Sequence, residues 1–255
     1  MLNHNKKIEE LISIVKILRS SNGCTWDQEQ TKESLIPYFI EEVYEMIECI
    51  DGNEEDLIEE IGDVLLHLVF QSSLAEDNNE FNFNDVIDGI NKKLVKRHPH
   101  VFNKEIKLSP QSIEKNWESK KQIDKGRKSR LDGVPISLPS IVRSERLQQK
   151  ASSVGFDWDN IKDVWNKVYE EIDEIIDACN KKDKKKIEEE IGDCLFSIIN
   201  LSRHLNISAE NALRKSNNKF ILRFKKMEQK IIEDGSSIDK CTLLEMDKIW
   251  NLVKQ

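Results

Sequence analysis

The sequence has few of the residues that turns and β-sheets need. Of its 255 residues only 9 are glycine and 5 are proline, and aromatic residues make up 7%. An all-β protein requires many turn residues, so that class is disfavoured. Charged residues, in contrast, account for 34% of the chain, and most of them are lysine and glutamate. Because both are good helix formers, the composition predicts an all-α protein.

Several common functional signatures are also missing. The chain has no G-x-x-x-x-G-K-[ST] phosphate loop and no G-x-S-x-G nucleophile elbow. The polar amino terminus lacks the apolar segment of a secretion signal, and no apolar run is long enough to span a bilayer. The cysteines have no C-x-x-C spacing, which predicts reduced thiols, mostly in the core: Cys24, Cys49, Cys179, Cys194 and Cys241. We therefore expect a cytoplasmic protein that does not bind membranes.

The net charge limits the partners. It is -8, with a pI of about 5.4, so a sequence-independent grip on nucleic acid is not expected. An acidic protein can still bind a polyphosphate if a metal ion or a local basic patch reverses the field there.

Apolar residues at helical spacing predict helices in two groups, separated by a segment of different composition. Residues 1–102 form the first predicted domain and residues 140–255 the second, and residues 103–139 carry a polar helix around Trp117 followed by a basic linker. The predicted helices cover 11–18 (ending near 22), 33–50, 55–76, 85–97, 140–152, 161–180, 184–205, 208–233 and 243–253. We interpret the basic segment as a solvated connector, and the His98-Pro99 pair as the end of a helix rather than part of a zinc site.

One acidic pattern occurs in both groups. In the first it comprises Glu41-Glu42-x-x-Glu45 and then Glu60-x-x-Asp63, and in the second Glu170-Glu171-x-x-Glu174 and then Glu190-x-x-Asp193. Each pair of corresponding acids is separated by 129 or 130 residues, and Trp26-Asp27 recurs as Trp158-Asp159. A shared order with small insertions indicates a tandem duplication.

The spacing of the acids predicts how they meet. Residues three apart share a helix face, so each pattern places two acids on each of two helices. Glu171 with Asp193, and Glu174 with Glu190, share a midpoint at residue 182, which predicts that they lie level in an antiparallel hairpin. The first-half acids share a midpoint between Gly52 and Asn53 in the same way.

Four carboxylates that lie at the same level of a helical hairpin need a cation nearby. Like charges in a partly buried site raise each other's pKa, and we expect no Lys or Arg at these levels to neutralise them. A single E-E-x-x-E on a helix is usually a solvated face, but two matched copies favour metal sites. Mg²⁺ suits oxygen ligands and leaves positions for water and phosphate oxygens.

With its flanking motifs, the pattern resembles the MazG family of nucleoside triphosphate pyrophosphohydrolases. The flanking motifs are Gly23–Thr31, Lys96–Phe102, Asn200–Leu205 and Lys219-Phe220. The resemblance covers nearly the whole chain. It implies a homodimeric, all-α enzyme of the α-helical NTP pyrophosphatase superfamily, built from tandem helical hairpins that form four-helix bundles. Such enzymes use Mg²⁺ to cut a nucleoside triphosphate into the monophosphate and pyrophosphate.

The resemblance also implies roles for individual residues. Glu171, Glu174, Glu190 and Asp193 would hold Mg²⁺. Lys167, Lys219 and Arg223 would hold the triphosphate, and Trp250 would lie against the nucleotide, with an apolar plane suited to any base. Glu170 or one of the metal ligands would act as general base, and the residues do not decide between them.

The two copies differ. Lys167 corresponds to Tyr38, and the first half has no evident counterpart of Trp250. We therefore expect catalysis in the second half and a possible second metal site at Glu42, Glu45, Glu60 and Asp63. Two other functions stay open: a narrow dUTP or dCTP pyrophosphatase, and a non-catalytic helical dimer that binds metal.

Overall fold

The computed structural model describes residues 4–50, 52–102, 126 and 128–254. The helix predicted around Trp117 and much of the predicted linker lie outside these residues. Within them the regular elements are α-helices and a short 3₁₀ helix, and no strand occurs, so the all-α prediction is confirmed. The chain divides into two compact units, Met1–Leu108 and Ser109–Gln255.

The first unit is built around a helical hairpin. Its helices are α1 (His4–Leu18), α2 (Thr25–Glu29), α3 (Ile36–Cys49), α4 (Glu54–Asp77), α5 (Phe83–Arg97) and α6 (Pro99–Phe102). Helices α3 and α4 form the hairpin, and α1 and α5 pack against α4. The core contains Val15, Leu35, Val69, Phe70 and Leu74. It joins α1 to the second half of α4, whereas Glu60 and Asp63 lie in the first half of that helix.

The second unit repeats the hairpin. Its helices are α7 (Ser140–Ser152), α8 (Ile161–Lys181), α9 (Lys184–His204), α10 (Ala209–Glu233) and α11 (Leu243–Leu252), with a short 3₁₀ helix at Ile238–Lys240. Helices α8 and α9 form the hairpin, α7 packs on α9, and α10 contacts both α7 and α11. Val164, Val168 and Leu201 form a small core cluster.

Polar caps fix where both hairpins turn. The Asn53 side chain accepts a hydrogen bond from the Asp56 amide at the start of α4. In the second unit, Lys182 adopts a left-handed conformation with φ of 57°, and Asp183 then caps α9. Such caps satisfy amides that a helix start leaves unpaired. Both turns lie where the midpoints of the acid pairs predicted them.

The nine predicted helices are all present, with boundaries shifted by a few residues at most ends. The sequence did not reveal α2 and α6, which are only 5 and 4 residues long. The five cysteines are free thiols as predicted, but only Cys194 is buried, so the expected core role is wrong for the others. Among the described residues, no helix is long and apolar enough to cross a membrane.

Candidate active site

The second hairpin brings three of its four predicted acids together. One carboxylate oxygen from each of Glu171, Glu174 and Glu190 lies within 4.8 Å of the others. Glu171 is 4% exposed and Glu190 is 2% exposed, whereas Glu174 faces solvent. Two buried acids on facing helices require a positive charge nearby, because an unpaired charge is costly in the interior.

The fourth acid, Asp193, lines a cavity beside this trio. The cavity has a volume of about 340 Å³. Its walls are Trp158, Val164, Lys167, Glu171, Asp193, Phe196, Ser197 and Asn200. The level pairing of Glu171 with Asp193 predicted their common location. The cavity is therefore lined by carboxylates, an ammonium group and aromatic side chains.

Two lysines neutralise the buried acids. Lys167 Nζ lies 2.5 Å from Glu171 Oε1 and 2.9 Å from Glu170 Oε1. Lys186 Nζ lies 2.6 Å from Glu190 Oε1 and 3.2 Å from Glu189 Oε2. The expectation of no cation at these levels is therefore wrong for the second hairpin, because each lysine reaches one helical turn forward.

These contacts shift the carboxylate pKa values in opposite directions. The hydrogen bond from Lys186 lowers the pKa of Glu190, and the charge of Glu190, together with burial, raises the pKa of Glu174. The acids in turn raise the pKa of the lysines. Glu171 and Glu170 raise the pKa of Lys167, and Glu190 and Glu189 raise the pKa of Lys186. Both lysines therefore stay protonated at neutral pH.

The trio fits a hard divalent cation. All its donors are carboxylate oxygens, and Glu171 Oε2 is buried without a hydrogen-bond partner among the described residues. An oxygen donor set of this kind suits Mg²⁺. A cation would complete the coordination of an oxygen that the protein leaves unpaired.

The first hairpin forms a similar acid cluster. One oxygen from each of Glu42, Glu60 and Asp63 lies within 4.8 Å of the others. Burial raises the pKa of both Glu42 and Glu60, with further contributions from Asp63 and Glu45. Glu60 Oε2 is buried and unpaired in the described part of the chain.

No described Lys or Arg forms an ion pair with the four acids of the first hairpin. By the offsets of the repeat, Tyr38 replaces Lys167 and Asp56 replaces Lys186. The two lysine positions of the second hairpin therefore have no lysine counterpart in the first.

The predicted nucleotide contacts on α10 and α11 are not among the residues that line the cavity. Lys219 is exposed and Arg223 is half-buried on α10, and the Trp250 ring packs against Phe220 with centroids 5.4 Å apart. None of the three lines the cavity beside Asp193. Their roles stay predictions.

The sequence predicted no role for several residues that lie near the acids. Trp158 belongs to the repeated Trp-Asp pair, and Asn200 to a motif of the family resemblance, but neither pattern indicated that both line the cavity. Lys186 could have been recognised, because it precedes Glu190 by four residues as Lys167 precedes Glu171. No sequence pattern indicated that Phe196 and Ser197 line the cavity.

Comparison with known proteins supports the resemblance. A family model described as the MazG nucleotide pyrophosphohydrolase domain matches residues 30–102 and 160–227. Each matched segment contains one hairpin and its acid cluster. The tandem arrangement inferred from the repeated acids is therefore confirmed.

Relatives match over nearly the full length. The chain is 46% identical over 249 residues to a Thermotoga maritima protein named nucleoside triphosphate pyrophosphohydrolase/pyrophosphatase MazG, covering 96% of this chain and 95% of that one. It is 39% identical over 256 residues to an Escherichia coli K12 nucleoside triphosphate pyrophosphohydrolase, with coverage of 98% and 97%. A Mycobacterium tuberculosis protein of the same name is 33% identical over 154 residues, or 59% of this chain and 46% of that one. The chain belongs to the MazG nucleotide pyrophosphohydrolase family.

Proposed function

We propose that this protein is a nucleoside triphosphate pyrophosphohydrolase that uses Mg²⁺ to convert a nucleoside triphosphate and water into the monophosphate and pyrophosphate. The observation that carries the proposal is the position of the acids. Glu171, Glu174 and Glu190 converge beside a cavity that also presents Asp193 and Lys167. The full-length relatives named for this activity support the reaction class.

In this proposal Mg²⁺ is held by Glu171, Glu174, Glu190 and Asp193. When bound, it supplies charge neutralisation for the phosphates and a more acidic water. The unpaired Glu171 Oε2 and the exposed Glu174 are the groups with free coordinating capacity.

The protein's own side chains position and neutralise the substrate. Lys167 lies between Glu170 and Glu171 at the cavity wall, so its ammonium can contact a phosphate oxygen that enters there. Glu170 is exposed and held by Lys167, which keeps its carboxylate beside the site. Either Glu170 or one of the metal-binding acids removes the proton from the attacking water.

The further nucleotide contacts come from α10 and α11. Lys219 and Arg223 are one turn apart on α10, so a point charge and a planar guanidinium can bind neighbouring phosphates. Trp250 offers an apolar plane that accepts any base, which supports a broad range of NTP and dNTP substrates and a housecleaning role in the nucleotide pool.

The protein acts as a homodimer in this proposal. Both helices of the second hairpin carry apolar side chains at helical spacing that are 40–59% exposed: Trp165, Tyr169, Ile172 and Ile176 on α8, and Ile191, Leu195 and Ile198 on α9. Single exposed apolar residues are ordinary, but continuous stripes on paired helices mark an interaction surface. A second hairpin packed on these stripes would complete a four-helix bundle.

A substrate panel tests the proposal. The eight common NTPs and dNTPs would be incubated with and without Mg²⁺, and pyrophosphate release measured. We expect Mg²⁺-dependent release from most of them. Activity confined to one pyrimidine nucleotide would indicate the narrow dUTP or dCTP enzyme instead, and no release from any of them would favour a non-catalytic metal-binding dimer.

A further inference from the structure

Lys186 has no role in the reaction as proposed above. It is not among the residues that line the cavity beside Asp193, whereas Lys167 lines that cavity and can contact a phosphate. Lys186 lies in the first turn of α9, and its side chain is 49% exposed. Its ammonium is nevertheless tied to the acid site, because Nζ lies 2.6 Å from Oε1 of Glu190. A role of Lys186 in this site must therefore act through Glu190.

Glu190 is buried and cannot rely on water to stabilise its charge. It is 2% exposed, and an unpaired carboxylate at such a position is costly. Lys186 supplies the opposite charge, so it stabilises the ionised acid in the folded protein. A divalent metal ion at this carboxylate would do the same. Lys186 and a metal ion are therefore alternative counter-charges for Glu190.

The geometry makes these two cations competitors. Oε1 of Glu190 already accepts a close hydrogen bond from the Lys186 ammonium. A metal ion on this carboxylate would lie next to a like charge, and the repulsion is reduced but not removed at a half-exposed side chain. Metal binding at Glu190 must therefore displace Lys186 or act against its charge.

A neighbouring acid offers the displaced ammonium a second partner. Lys186 Nζ also lies 3.2 Å from Oε2 of Glu189, whose side chain is 61% exposed. Full transfer to this carboxylate needs only a small movement of a flexible side chain. Lys167 has the same arrangement on α8, where it contacts the buried Glu171 and the exposed Glu170. The exchange is therefore local and leaves the hairpin unchanged.

The first hairpin carries the opposite charge at the equivalent position. By the offset of the repeat Asp56 replaces Lys186, four residues before Glu60. Asp56 is exposed in the first turn of α4, where its amide and its carboxylate both contact the side chain of Asn53. A metal ion at Glu60 would be attracted rather than repelled by the side chain at this position.

We propose that Lys186 competes with the metal ion for Glu190 and thereby sets the concentration of free Mg²⁺ at which the second hairpin binds metal. The inference rests on the proposed function, because it concerns the same metal site. Lys186 is a positioning residue that holds the buried carboxylate in place and yields it to the metal. The first hairpin, with Asp56 in place of Lys186, binds metal at a lower concentration than the second.

Metal binding without nucleotide tests the competition. Mn²⁺ is the probe, because it takes the same oxygen ligands as Mg²⁺ and its free form is measured by electron paramagnetic resonance. Asp193→Asn and Asp63→Asn, which each remove an acid from one hairpin, identify the hairpin responsible for each binding event. Lys186→Met removes the ammonium, and we expect it to bind Mn²⁺ at the second hairpin about 10-fold more tightly. Lys186→Arg keeps the charge and should stay within about twofold of the wild type.

Lys184→Met is the matched control. Lys184 lies two residues before Lys186, is exposed, and forms no ion pair with an acid in the described part of the chain. Its loss changes the net charge equally without removing the partner of Glu190. We expect the Mn²⁺ affinity of Lys184→Met to stay within about twofold of that of the wild type.

Thermal unfolding gives a second readout. In EDTA, Lys186→Met should unfold at a lower temperature than the wild type, because Glu190 loses its counter-charge. Saturating Mn²⁺ should remove most of this difference, because the metal ion then stabilises the acid. A lower unfolding temperature without tighter Mn²⁺ binding would indicate a role in the fold alone and would overturn the proposal.

Two other results would also overturn the competition. Equal tightening in Lys184→Met would show that the effect comes from net charge, and weaker Mn²⁺ binding in Lys186→Met would show that Lys186 supports the metal ligands. The reciprocal variant Asp56→Lys should weaken Mn²⁺ binding at the first hairpin about 10-fold, because it introduces the competing charge. Unchanged binding there would contradict the competition.

Hydrolysis is measured separately from metal binding. If Lys186→Met binds Mn²⁺ more tightly but the wild type releases no pyrophosphate from any nucleotide, the proposed function fails and the competition is supported. If the wild type releases pyrophosphate but Lys186→Met leaves the Mn²⁺ affinity unchanged, the proposed function is supported and the competition fails.

Discussion

At the scale of single residues, the two acid clusters differ in their counter-charges. Glu60 and Glu190 occupy equivalent positions of the repeat, yet burial and the neighbouring acids raise the pKa of Glu60, whereas Lys186 lowers the pKa of Glu190. A raised carboxylate pKa in the folded state means that ionisation destabilises the fold, and a lowered pKa means the reverse. Equivalent residues should therefore contribute to stability with opposite signs.

This contrast gives a prediction for matched substitutions. Without divalent metal at pH 7.5, Glu60→Gln should raise the thermal midpoint of unfolding and Glu190→Gln should lower it, each by a few degrees. The benefit of Glu60→Gln should shrink as the pH falls through the raised pKa of Glu60, because the wild-type acid is then protonated. The loss in Glu190→Gln should shrink only at the lower pH where Glu190 itself protonates.

Calorimetric unfolding in EDTA, scanned from about pH 8 down to about pH 3, which lies below the ordinary glutamate pKa of about 4.3, would measure both effects. Adding Mg²⁺ should stabilise the wild type more than Glu60→Gln. Changes of the same sign in the two variants would contradict the difference in counter-charge.

The lysine contacts also show what single-residue patterns can predict. The spacing of four residues made the Lys167–Glu171 contact predictable, and the same spacing separates Lys186 from Glu190. The Asn200 amide was different. Its orientation depends on Arg203 and, through it, on Asp157 in the segment before α8, a contact across 46 residues that no local pattern contains.

At the scale of helices, the hairpins were the most predictable part of the fold. Apolar periodicity located the helices, and the shared midpoints of the acid pairs located both turns. The cavity beside Asp193 was not predictable, because its walls come from different segments: Trp158 from the loop before α8, Val164 from α8, and Asn200 from α9. The sequence also did not predict which apolar residues stay exposed, because helical periodicity identifies an apolar stripe but not the surface that covers it.

The exposed stripe of the second hairpin predicts how association responds to a charge. Leu195 is 57% exposed on α9, and a charge at an apolar interface costs on the order of several kcal/mol when buried. We expect Leu195→Glu to weaken dimerisation at least about 100-fold and leave the helix content unchanged.

Light scattering coupled to size exclusion would measure the mass. Ile136→Glu is the matched control, because Ile136 is 86% exposed and lies in the connector before α7. A Leu195→Glu protein that remains dimeric at low micromolar concentration would exclude this stripe as the interface.

At the scale of the whole molecule, the duplication has produced two units with the same acids and different surroundings. The second unit has Lys167, Lys186 and a cavity of about 340 Å³ beside its acids. In the first unit no described lysine pairs with the acid cluster, which favours metal binding with a weaker or narrower hold on substrate. We therefore expect turnover in the second unit.

The most direct measurement is pyrophosphate release from a nucleoside triphosphate with Mg²⁺, compared between Asp193→Asn and Asp63→Asn. We expect the wild type to form monophosphate and pyrophosphate, Asp193→Asn to lose on the order of 100-fold or more in rate, and Asp63→Asn to keep much of it. Equal loss in the two variants, or release of inorganic phosphate and nucleoside diphosphate by the wild type, would contradict the account.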